Sequence, residues 1–235
     1  MRPRLSLTIG PLLGLLLTAA LAGCGSSSPS GNGVANKSPT EILAATEVAA
    51  DSASSVHVAG SIVSGGSPIS LDMSLATGKG GRGQLSENGL AFELIQTGGT
   101  VYIKGSAAFY KHIGGTAAAQ LLQGKWLKAP ASSADFASLT QLTNLRQLVG
   151  QTLANHGSLS KGATTSVNGQ KVIGVTDTTK GGTLYIATTG KPYPIEITKG
   201  GSGGGKITFD RWNEPVTVTA PANAIDVTQL QAAGH

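Results

Sequence analysis

Two glycine-rich stretches carry the spacing of chemical motifs. Gly78-Lys79-Gly80-Gly81-Arg82-Gly83 fits G-x-G-x-x-G, in which a helix N-terminus meets a dinucleotide phosphate. Gly200-Gly201-Ser202-Gly203-Gly204 fits G-x-S-x-G, in which a strand-to-helix turn presents a serine nucleophile. Both chemistries require a helix directly after the loop. Here strand patterns flank each loop on both sides, so each reads as a β-turn. His57, His112, His156 and His235 show no metal-ligand spacing, and Asp72, Asp135 and Asp177 fall in separate elements without a visible pairing. The sequence therefore offers no catalytic residue, no metal site and no cofactor loop, and a non-enzymatic role is expected.

One thiol remains. Cys24, the sole cysteine of 235 residues, ends the run Leu21-Ala22-Gly23-Cys24. Arg2 and Arg4 precede an apolar stretch over 5–22 that Gly10, Pro11 and Gly14 interrupt. A charged start, an apolar middle and small residues at the end are the parts of a secretory signal. The stretch is short of the about 20 apolar residues of a membrane span, and a lone cysteine has no disulfide partner. Leu21-Ala22-Gly23-Cys24 resembles the bacterial lipobox. That resemblance implies cleavage after Gly23 and a diacylglyceryl group, with palmitate among its acyl chains, on Cys24. The expected location is the extracytoplasmic face of the cell membrane, held by the lipid anchor.

Three segments follow: a signal peptide over 1–23, lipidated Cys24 with a flexible tether over 24–37, and one folded domain over 38–235. The tether is Ser- and Gly-rich and spans roughly 20 Å as coil. Without the signal, 15 basic face 12 acidic residues, a net charge of +3. The cations stand singly, without the basic stripe that nucleic-acid binding needs. Charged residues are 12% of the chain and aromatic residues 4%, so the core must be built from aliphatic side chains.

Ser38-Pro39-Thr40-Glu41 carries a capping box with proline at the first helical position, and a helix is expected over 39–53. From Val56 the apolar period changes to two. Hairpin signals at 64–67, 78–83, Asn88-Gly89 and Gly98-Gly99 divide five strands of an antiparallel meander. Apolar residues from Phe136 to Leu153 recur every three or four positions, which predicts one amphipathic helix over about 135–154. Strands return over 161–212, with a last edge strand expected at 216–219 and a short helix over 222–232. This order argues α+β with one large antiparallel sheet.

With those elements placed, the chain resembles the LppX/LprAFG family of actinobacterial lipoproteins. The resemblance rests on Ser55-Val56-His57-Val58-Ala59-Gly60, Gly99-Thr100-Val101-Tyr102-Ile103-Lys104-Gly105 and Gly124-Lys125-Trp126-Leu127-Lys128. Further matches are Gly182-Thr183-Leu184-Tyr185-Ile186-Ala187, Gly190-Lys191-Pro192-Tyr193-Pro194-Ile195 and Asp210-Arg211-Trp212-Asn213. It implies a curved half-barrel sheet like that of the LolA/LolB carriers, helices over its concave face, and a lipid-sized cavity between. The inward sets expected to line that cavity are Leu71, Met73, Leu75, Leu94, Val101, Ile103, Leu184 and Ile186 from the sheet. Leu142, Leu145, Leu148 and Val149 come from the helix. The same pattern also fits a dry core.

The function implied is a membrane-anchored monomer that binds acylated lipids or glycolipids and carries them across the envelope, handing them to an envelope transport protein. An alternative is an interaction module that assists or regulates an envelope protein, through a surface around Tyr102, Tyr110 and Trp126.

Overall fold

The computed structural model describes residues 31–64 and 66–229. The signal and lipobox readings, Cys24 included, lie outside the described residues. Helix α1 (Pro39–Asp51) begins as its sequence dictates: Ser38 Oγ accepts from the Glu41 amide, and the Glu41 carboxylate accepts from the Ser38 amide. Its small-residue face buries Ile42, Thr46, Ala49 and Ala50.

The first meander is β1 (Ser55–Ser64), β2 (Ser67–Ala76), β3 (Gly80–Glu87), β4 (Leu90–Thr97) and β5 (Thr100–Gly105). The second is β7 (Leu159–Val167), β8 (Gln170–Asp177), β9 (Thr183–Ala187), β10 (Pro194–Lys199) and β11 (Gly205–Asp210). Asn88-Gly89 and Asn168-Gly169 all take positive φ, the conformation that tight hairpin turns require. Both motif-like loops lie between strands, at the β2–β3 and β10–β11 turns.

Strand β1 pairs β2 on one side and β11 on the other, so the two meanders form one sheet. Its order is β12-β6-β5-β4-β3-β2-β1-β11-β10-β9-β8-β7, and it does not close. The added strands are β6 (Leu127–Pro130) and β12 (Ile225–Asp226), whose mutual pairing is parallel. The sheet is therefore mixed rather than wholly antiparallel.

Register places Val58, Met73, Gly83, Leu94, Ile103 and Leu127 along one inward rung, with Phe209 beside Val58. The opposite face carries Asp72, Gln84, Glu93 and Lys104. One packed and one wetted face is the usual solution for antiparallel sheets. The inward face packs on the helices as an aliphatic core in which Val56, Leu75 and Leu94 have no exposed surface.

Four expectations need correction. The helix expected over 135–154 is a 3-10 turn (Ala134–Phe136), α3 (Ala137–Leu142) and α4 (Leu145–Ala154). The break falls where Thr143 Oγ1 bonds back to the Thr140 carbonyl and Asn144 Oδ1 caps the Gln147 amide, restarting the helix. Helix α2 (Ala107–Leu122) occupies the whole aromatic middle segment, capped by Ser106 and kinked at Gly115, whose φ is 75°. No strand forms at 216–219, between Pro215 and Pro221; of the helix expected over 222–232, residues 225–226 form β12 instead, residues 227–229 are helical, and 230–232 lie outside the described residues. Finally, residues 31–37 are part of the domain rather than tether. Val34–Asn36 is a 3-10 turn, and Val34, 1% exposed, packs with Ile42, Ile173, Val175 and Ile186.

Candidate functional site: an apolar cleft beside the kinked helix

Most residues expected to line a cavity are packed together instead. Met73, Leu75, Leu94, Val101, Ile103, Leu145 and Val149 are buried in the main core cluster, with Leu71, Leu142, Leu148 and Leu184 half-buried against it. Ile186 belongs to a second cluster, with Val34 and Ile42. Leu184 also edges a recess of about 160 Å³ beside α4.

Apolar space is found at one side of this core. A cleft of about 260 Å³ is lined by Val101 and Ile103 of β5, Leu127 of β6, Phe109 and Ile113 of α2, Phe136 and Val227. Two of the expected residues, Val101 and Ile103, thus form its floor. Ile113 is 58% exposed, so the helix edge of the cleft is open to solvent.

Helix α2 is held at both ends, with Tyr110 and Leu122 buried and the stretch between them mostly exposed. The Tyr110 ring is fully buried; its hydroxyl accepts from the Gly105 amide and donates to the Lys125 carbonyl. Burial pushes the Tyr110 phenol above its ordinary range, which favours the neutral form that this pair of bonds uses. Phe109 packs on Phe92, with ring centroids 5.2 Å apart. Beyond Tyr110, residues 111–117 are all exposed and contain the Gly115 kink. Tyr110 consequently does not belong to a binding surface with Tyr102 and Trp126. Those two lie half-buried elsewhere, with Lys104 Nζ 5.1 Å from the Trp126 ring centroid.

On the polar face, the structure joins residues that the sequence left apart. His57 of β1, 8% exposed, has Nδ1 at 2.6 Å from Asp210 Oδ1 and Nε2 at 3.0 Å from Asp72 Oδ1. Asp210 stands opposite His57 across β1–β11, and Asp72 sits one diagonal away across β1–β2. Both ring nitrogens are engaged by carboxylates, which leaves neither to accept a proton from a serine. The imidazole clasps the two meanders where they meet. The sequence signal was the shared strand face of His57 and Asp72; the β1–β11 pairing that brings Asp210 in has no local signature. Among the described residues, no three His, Cys, Asp or Glu side chains are arranged to hold a metal.

No protein-family model matches the chain, and no curated protein matches it in sequence. Solved structures do match. LprF from Mycobacterium bovis is 18% identical, with 79% of this chain and 97% of that chain covered at a TM-score of 0.54. The Mycobacterium tuberculosis lipoprotein LppX is 21% identical, with 77% of this chain and 99% of that chain covered at a TM-score of 0.50. The likeness at these identities is one of architecture: an open twelve-stranded sheet with helices packed on its inward face, the fold of the LppX/LprAFG lipoproteins.

Proposed function

We propose that this chain is a membrane-anchored lipoprotein that takes an acyl chain of a lipid or glycolipid into the cleft beside α2 and carries it across the envelope. The observation that carries the reading is the cleft itself, an aliphatic and aromatic groove edged by an exposed, kinked helix. Its 260 Å³ falls just below the roughly 300–1,000 Å³ typical of small-molecule sites. It suits part of one acyl chain. Burying each methylene gains about 0.8 kcal/mol relative to water. A bilayer offers the same gain, so exchange between bilayer and cleft is nearly neutral and needs no energy source. Lipidation of Cys24 keeps the cleft near the membrane that supplies the cargo, and the fold shared with LppX and LprF supports the reading.

The test is uptake of a fluorescent fatty-acyl probe by wild type and Ile113→Asp. The exposed position tolerates the change, so the expected result is an unaltered Tm with probe affinity lower by at least about tenfold, equivalent to ~1.4 kcal/mol. Equal uptake by both proteins removes the cleft from the mechanism.

A second reading has one specific observation. The polar face holds a groove of about 360 Å³ with Trp126, Arg82 and Glu93 in its walls, a surface an envelope protein could grip. A partner retained by Ile113→Asp and lost with Trp126→Ala would favour the interaction module.

A further inference from the structure

The described residues begin at one end of the sheet. Gly31 bridges Thr189, and the Asn32 side-chain amide donates to the carbonyls of Ala187 and Gly190, next to the β9–β10 turn. Strands β2, β4 and β9 run in the same direction, so turns 77–79, 98–99 and 188–193 share this end. Lys161 Nζ adds bonds to the Ala35 and Lys37 carbonyls that hold the segment down. If Cys24 carries the anchor, six residues lie between it and Gly31, a reach of at most about 25 Å over seven Cα steps. That length ties this end of the domain, and no other, to the bilayer surface.

The chemistry of this end fits such a surface. Lys191, next to Gly190, donates to Ser52 Oγ at 3.1 Å, and Arg146 Nε donates to the adjoining Asp51 carbonyl. Arg146 and Lys79 then flank a recess of about 690 Å³, walled by Thr77, Gln96, Asn144 and turn glycines, with no carboxylate in its lining. Among the described residues Lys79, Arg146, Lys171 and Lys191 make no ion pair. The acidic residues of this end are Asp51, Glu214 and Asp210, the last already engaged by His57 and Arg211. A recess of mixed lining that holds two cations and no acid suits a phosphate ester.

We infer that this end is a docking face for anionic phospholipid headgroups. Lys79 and Arg146 hold one headgroup phosphate in the recess, and Lys191 presses beside the chain's point of departure. The proposal rests on the lipid-anchor reading of Cys24 and assigns an orientation: the β2–β3 and β4–β5 turns face the membrane.

The test uses the chain from position 24 with Cys24→Ser, so that no anchor contributes, in vesicle co-sedimentation. Phosphatidylcholine vesicles with and without phosphatidylglycerol are compared. Each cation at an anionic surface contributes about fivefold to binding. The triple variant K79A/R146A/K191A is therefore expected to lose about 100-fold for anionic vesicles, while Lys180→Ala/Lys199→Ala at the opposite end loses little. High salt should abolish wild-type binding in the same way, a readout independent of any variant's folding. Equal binding to both vesicle types, or an unchanged triple variant, overturns the proposal. Acylation of Cys24 is read separately, from the mass of protein purified from its host, so failure of the anchor reading and failure of the docking face are distinguishable.

Discussion

Asp177 shows how much one half-buried carboxylate can organise. It closes the β8–β9 turn by accepting from the amides of Lys180, Thr179 and Gly157, and these bonds hold it below its ordinary value of 3.8. A depressed folded value means that the carboxylate stabilises the fold above about pH 4 and ceases to do so as pH falls through the folded value. Wild type should therefore melt above Asp177→Asn at neutral pH, with the gap closing on acidification, as followed by circular dichroism. Tyr110 supplies the converse case, a buried neutral phenol. Tyr110→Phe leaves the Gly105 amide and Lys125 carbonyl without partners, and about 2 kcal/mol of stability should be lost in urea unfolding. Of these contacts the sequence disclosed little. Asp177 was visible only as an isolated acid and Tyr110 as an aromatic, because their partners are backbone groups that any residue type could supply.

At the scale of elements, legibility followed locality. The capping box of α1 and the Asn-Gly hairpin turns depend on residues a few positions apart, and they formed as written. The break between α3 and α4 was hidden because the apolar stripe continues through it; only the capping chemistry of Asn144 betrays it. Residues 31–37 looked like linker because they carry one large apolar side chain, yet Val34 finds a slot that exists only after β8 and β9 assemble. The β1–β11 seam is equally non-local. There Gly60, at φ 151°, lies so close to β11 that a Cβ would stand 2.0 Å from the Lys206 carbonyl oxygen. Gly60→Ala should force the two meanders apart, costing on the order of 1–3 kcal/mol, and hydrogen exchange should quicken first in β1 and β11.

For the molecule as a whole, the sheet and its two meanders were readable, whereas the division between packed core and open cleft was not. Leu94 and Ile113 both read as apolar positions. The fold buries the first completely and leaves the second at the edge of a groove. This division separates two kinds of defect. Leu94→Ala should cost roughly 2–5 kcal/mol of stability and leave the affinity for an acyl probe, measured at low temperature where the protein is still folded, nearly unchanged. Ile113→Asp should do the reverse. The division leaves the molecule with a packed core and a lateral groove.

Native mass spectrometry of wild type and Ile113→Asp, each purified from its own host, tests the central claim most directly. The account predicts an added mass on the wild-type protein that fragments to an acylated lipid or glycolipid, and its loss from Ile113→Asp. A wild-type protein free of noncovalent lipid, or a variant that retains the same adduct, would contradict it.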